Sequence, residues 1–235
     1  MSSQRPAPLA ARSRKIQLPY DNRFETILEY KESFLCGQID FFSVIGAGCP
    51  ICGKTDCYRQ ITPYFRNAIE LFPDFDKHRI PISRFLCRNK HSSFSLLPIQ
   101  LIPYFQYTVG AVIGTLLLAF QYRQRGQRGF YGASATVDAD SLVTPWLVVC
   151  WLLTVARGLR RAHAVLGRFY NLSDVRTVTD QMASCKQVCG YFLAMGLKPK
   201  ICWMPPVMTV CRRYSRATNR FLFGTASQHR SAICN

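Results

Sequence analysis

The chain has 235 residues, 49% of them hydrophobic and 13% aromatic, which excludes a wholly disordered polypeptide and suits one large or two small domains. Its 30 Lys and Arg against 13 Asp and Glu leave a formal charge of +17. Such an excess repels itself unless a polyanion or anionic surface offsets it, so DNA, RNA and anionic lipid are the partner classes to weigh first.

The basic excess is uneven. After Asp180 there is no acidic residue, while Lys186, Lys198, Lys200, Arg212, Arg213, Arg216, Arg220 and Arg230 follow. The segment Met1 to Lys15 lacks an apolar core, so no secretory signal is expected. Eleven cysteines, an odd count in a long apolar chain, read as buried thiols in the reducing cytoplasm rather than as a disulfide scaffold.

In chain order, residues 1–23 read as a flexible basic arm carrying Arg5, Arg12, Arg14 and Lys15. Residues 24–44 read as a short helix and linker. Ile27, Leu28, Tyr30 and Leu35 are interleaved there with Glu25, Glu29, Lys31 and Glu32. Over 45–98 the texture becomes aromatic and β-branched. Tyr58 to Phe65 and Arg79 to Leu86 alternate as strands on either side of a Pro73-Asp74-Phe75-Asp76 loop.

Residues 99–196 read as helical. One helix is expected over 103–122 and a stronger one over 140–170, where Leu142, Trp146, Val149, Leu153, Ala156, Leu159, Leu166 and Tyr170 recur at helical spacing. Asp140 or Ser141 would cap the second helix, and Pro145 suits its first turn. Arg123 to Ala139 reads as a Gly- and Arg-rich connector, and a further helix is expected over 173–195 with Gly196 as its stop. Residues 197–235 read as an irregular basic tail. The fold class expected is α+β: a small N-terminal zinc ribbon, in essence a β-hairpin, followed by a mainly α-helical domain.

The ribbon rests on its cysteines. Cys49-Pro50-Ile51-Cys52-Gly53 is half of a tetrahedral zinc site, because a tight turn ending in a left-handed Gly aims two sulfurs at one point. Cys87 and His91 supply the expected second half, with Cys57 and His78 as competing ligands. Four protein ligands leave no open position for water, so the Zn2+ expected is structural rather than catalytic.

These motifs, with Ile80-Pro81-Ile82-Ser83-Arg84-Phe85-Leu86-Cys87, Phe94-Ser95-Leu96-Leu97-Pro98 and Pro103-Tyr104, resemble the zinc-ribbon heads of bacterial insertion-sequence transposases. They look most like a little-characterised family of small mobile-element proteins bearing that head. The resemblance spans about residues 45–110 and implies DNA binding near element ends. Transposase heads usually close on a second Cys-x-x-Cys, and here Arg88-Asn89-Lys90-His91 stands in its place.

Catalytic readings lack residues. A two-metal nuclease needs three gathered carboxylates, yet after Glu70 the acids are Asp74, Asp76, Asp138, Asp140, Asp174 and Asp180. A His-x-His metal pair is absent, and Arg160, Arg161, His163 and Tyr170 are explained by helical amphipathicity. The expectation is a non-enzymatic, transposase-related DNA-binding protein. Phosphate contacts would come from Arg59, Arg84, Arg88 and Lys90 around the ribbon and from the Arg157–Arg161–Arg168 stripe on the long helix. A transposase, or a second copy of the chain, is the further partner this reading admits, and no small-molecule substrate is expected.

Two alternatives stay open: a small membrane-associated protein with two short apolar helices, and a zinc-containing protein-interaction module. Ser92 to Tyr122 and Ser141 to Ala156 carry no charge. The second run is short of the roughly 20 residues a bilayer needs, and the first is broken by Pro98 and Pro103, so buried core helices are preferred to spans.

Overall fold

The computed structural model describes residues 16–20, 24–46, 48–137, 142–175, 183–197 and 204–224. Its strands are β1 (Ile16–Tyr20), β2 (Tyr58–Glu70), β3 (Asp76–Cys87) and β4 (Ser92–Pro98). They form one sheet in the order β1-β4-β3-β2. β2, β3 and β4 run antiparallel in succession, and β1 lies parallel to β4 with Ile16 opposite Phe94 and Tyr20 opposite Pro98.

The expected hairpin is therefore present but longer, and it is two strands of a four-stranded sheet. Residues 16–20 are not part of a free arm. Their alternation of Ile16, Leu18 and Tyr20 supplies a parallel edge strand whose partner is distant in sequence. Residues 1–15 of the expected arm lie outside the described residues.

Seven helices complete the described residues: α1 (Ile27–Leu35), α2 (Phe41–Ile45), α3 (Val109–Gln124), α4 (Gly129–Val137), α5 (Pro145–Leu166), α6 (Ser184–Ala194) and α7 (Met204–Thr218). Side chains cap four of them. Thr26, Asp40, Thr108 and Thr144 accept backbone N–H bonds at the starts of α1, α2, α3 and α5. Asp140 and Ser141, the caps expected for α5, lie outside the described residues; Thr144 does the capping, and Pro145 sits in the first turn as expected. α5 ends at Leu166, so Tyr170 lies beyond it.

Two helices occupy segments expected to be irregular. α4 falls within the Arg123 to Ala139 connector. α7 lies in the tail, where Pro205 and Pro206 occupy the first turn and lose no intrahelical hydrogen bond. The remaining turns of α7 bury Val207, Val210, Cys211 and Tyr214 at a spacing that lines one face.

Two apolar clusters result. One lies between the sheet and α1 and α2, around Tyr20, Ile27, Tyr30, Phe41, Phe85, Phe94 and Leu96. Tyr30, fully buried, donates its hydroxyl to the Pro81 carbonyl at 3.0 Å and so ties α1 to β3. The other gathers the helices around α3, which is buried on nearly every side, and around Trp151 on α5.

The two clusters meet at the end of β2. Ile69 exchanges backbone hydrogen bonds with Gln106 and Thr108 at 2.7 and 3.0 Å, and Arg66 donates to the Ile102 carbonyl at 3.2 Å. Burial holds the Arg66 guanidinium below its ordinary pKa. No helix is long and apolar enough to cross a membrane among the described residues.

Candidate metal centre

Four sulfurs converge at one end of the sheet. The Sγ atoms of Cys49, Cys52, Cys57 and Cys87 all lie within 4.8 Å of one another. Cys49, Cys57 and Cys87 are buried and Cys52 is partly so.

Three pieces of backbone place them. The turn 49–53 carries the first two, closed by Gly53 N–H donating to the Cys49 carbonyl at 2.7 Å, with Gly53 at φ 74°. Cys57 immediately precedes β2, and Cys87 is the last residue of β3. Because Tyr58 pairs with Cys87 and the Arg88 N–H donates to the Cys57 carbonyl at 2.7 Å, those two cysteines share the open end of the hairpin.

The sulfurs are close enough to share one ion. Cys52 Sγ lies 3.1 Å from Cys57 Sγ and 3.7 Å from Cys87 Sγ, and the Cys57–Cys87 pair is at 3.9 Å. A tetrahedral ion with metal–sulfur bonds of about 2.3 Å places sulfurs ~3.8 Å apart, whereas a disulfide needs about 2 Å. The site can hold a metal ion.

The thiols are chemically unequal. Hydrogen bonds from Cys57, the Lys54 backbone, Cys87 and Asn89 lower the Cys52 thiol to about 6, against the opposing effect of burial. Burial, together with hydrogen bonding to neighbouring sulfurs, pushes Cys57 and Cys87 up. A Cys52 thiolate beside the raised Cys57 and Cys87 thiols is an arrangement that a dication would replace, displacing the protons of those two.

Three of the four expected ligands, Cys49, Cys52 and Cys87, are brought together; His91 is not. His91 is exposed in the left-handed region (φ 47°) on the four-residue turn between β3 and β4, and it lies outside the sulfur group. Cys57 takes the fourth place, and His78 is elsewhere, 3.3 Å from both Glu70 and Asp76. Cys57 is legible in the sequence as a competitor, but what selects it is the register of β2 on β3.

No family model, curated protein or solved structure matches the chain. The site therefore has to be read from its own geometry.

The expected phosphate-contacting residues separate into two groups. Arg59 and Arg84 share one face of the sheet, since Arg59 pairs with Leu86 and Arg84 with Ile61. Tyr58, Phe85 and Phe94 point to the other face, against Phe41 and Phe42 of α2. Arg59 is exposed, while Arg84 is half-buried and donates to Ser93 Oγ at 3.3 Å. Arg88 and Lys90 are exposed on the turn that follows Cys87.

The helical stripe does not hold together. Arg157 is exposed on α5, but Arg161 donates to the carbonyls of Gly224, Phe221 and Leu222 at 2.8, 2.9 and 3.0 Å. Arg168 lies past the helix end, beyond the Gly167 cap. Arg161 is thus a tertiary clamp, which helical periodicity alone does not reveal.

Proposed function

We propose that the protein is a non-catalytic DNA-binding protein whose four-cysteine centre holds a structural Zn2+. The observation that carries this reading is the group of four cysteine sulfurs, all within 4.8 Å of one another, at the open end of the β2–β3 hairpin. All four positions are filled by soft ligands, which suits zinc and leaves no place for a reacting water. The ion would pin the turn 49–53 to two strand ends and so order the adjoining Arg88–His91 turn.

Lys54, Arg59, Arg84, Arg88 and Lys90 surround that end in sequence and register, against a single nearby acid, Asp56. Phosphate neutralisation by these cations is the binding mechanism proposed, and the relation to transposase heads of mobile elements belongs to the same proposal. A duplex titration across salt concentrations tests it, alongside metal analysis of protein purified without chelator. Stoichiometric zinc is expected, with log affinity falling linearly in log salt. Replacing Arg88 and Lys90 with Ala should reduce that slope by about one for each phosphate no longer neutralised. Zinc without salt-dependent DNA affinity would make the centre part of a protein-interaction module instead.

A further inference from the structure

The corner between α3 and α4, remote in sequence from the four clustered cysteines, carries a run of cations that the metal-dependent reading does not use. Residues 121–132 read Gln-Tyr-Arg-Gln-Arg-Gly-Gln-Arg-Gly-Phe-Tyr-Gly, three arginines and three aromatic rings with no acid. A cleft of about 340 Å³ opens there, lined by Arg123, Gln127, Arg128, Gly129, Phe130 and Tyr131. That volume is at the lower end of the range for small-ligand sites.

The corner is rigidly built. Gly126 takes a left-handed conformation (φ 71°) that reverses the chain after α3. A β-carbon on Gly129 would stand 2.3 Å from Arg123 Cγ and 2.5 Å from the Ala119 carbonyl, and one on Gly132 would stand 3.1 Å from the Tyr122 ring. The two glycines therefore let α4 lie directly on α3, and a Tyr122–Thr136 hydroxyl hydrogen bond of 2.9 Å fixes the pair.

Within that frame the Arg123 stem is pinned beneath Gly129. Its guanidinium lies 5.9 Å from the Phe130 ring centroid and directs one amine to Cys185 Sγ on α6 at 3.0 Å, leaving other N–H donors for a ligand. Arg125 and Arg128 are exposed and make no side-chain hydrogen bond or ion pair among the described residues. Tyr131 stands 64% exposed at the cleft.

We propose that this corner is a second nucleic-acid contact, selective for single-stranded over double-stranded DNA, in which Arg123 and Arg128 hold a backbone phosphate and an unstacked base lies on the Tyr131 ring. Guanidinium groups beside an open aromatic face provide the two interactions a single strand offers, a phosphate charge and a base π-face. A duplex offers only the first, because its base faces are stacked inside. This contact goes beyond the metal-dependent reading and requires none of the residues around the sulfurs.

The test is binding of fluorescein-labelled oligothymidylate of about 12 nucleotides to the full-length zinc-loaded chain, read by anisotropy. Tyr131→Ala should weaken it by about 5- to 100-fold, whereas Tyr131→Phe, which keeps the ring, should bind like the parent. Arg128→Ala should weaken binding and lower the salt slope. Both residues are exposed, and circular dichroism will verify that the variants fold.

An Arg88→Ala/Lys90→Ala protein serves as the separate arm for the duplex reading, and its oligothymidylate affinity should be retained. The proposal is overturned if the parent fails to bind oligothymidylate, if Tyr131→Ala binds as well as the parent, or if Tyr131→Phe loses as much as Tyr131→Ala. Equal competition by unlabelled duplex, or full competition by inorganic phosphate at the same concentration as the strand, overturns it too.

Discussion

The carbonyl oxygen of Leu222 lies 2.4 Å from the point where a β-carbon on Gly158 would stand. That close approach seats residues 221–224 on α5, with Leu222 and Phe223 buried in the helical cluster and Phe221 packed against the sheet-side cluster. Arg161, one turn from Gly158, closes the strap by donating to three of its carbonyls. A segment after α7 thus joins the two apolar clusters.

Gly158→Ala should therefore destabilise the protein by about 1–3 kcal/mol through overpacking. Arg161→Ala should cost about 1–2 kcal/mol, discounted because the side chain is exposed. Both act on one strap, so the double variant should lose less than the sum, a departure that urea denaturation can measure.

The ligand set separates two substitutions cleanly. Cys57→Ser should lower zinc stoichiometry and thermal stability, because a hydroxyl replaces one of four thiolates. His91→Ala should leave both unchanged. Metal analysis with parallel melting curves reads the difference, and the opposite pattern would return the fourth position to His91.

In chelated protein Cys52 should be the first thiol of the group to be alkylated. Its thiol is lowered to about 6, so it is the thiolate at neutral pH, while burial keeps Cys57 and Cys87 protonated there. Its labelling rate should decline as pH falls below neutral, reach half its plateau near 6 and keep falling below that value. Peptide mapping after brief iodoacetamide treatment measures this, and bound zinc should abolish the labelling.

Tyr30→Phe tests the tie between α1 and the sheet. It removes the hydroxyl bonded to Pro81 and leaves the ring among Tyr20, Phe24 and Phe34. About 1 kcal/mol of stability should disappear in a denaturant titration, with the Pro81 carbonyl left without that donor.

The short-range signals carry well where one element decides its own structure. α1, α5 and α6 fall inside the helices expected from apolar spacing, and α3 overlaps its expected span but starts later, at the Thr108 cap. β2 and β3 contain the alternating segments and extend beyond them. α4 is hidden because Gly129 and Gly132 are poor helix formers; they are used there for close approach to α3, which only the packed pair reveals. α7 is hidden by two prolines whose cost vanishes in a first turn.

By itself the sequence determined that a knuckle ends at Gly53, that an antiparallel hairpin follows, and that apolar helices succeed it, because turn chemistry and residue period act over a few positions. Only the tertiary structure decided that β1 joins β4 and that Cys57 rather than His91 stands beside Cys87. It also decided that Arg161, though exposed, is bonded to the carbonyls of residues 221, 222 and 224. Those three facts depend on register and on packing between segments far apart in the chain, and no local periodicity encodes either.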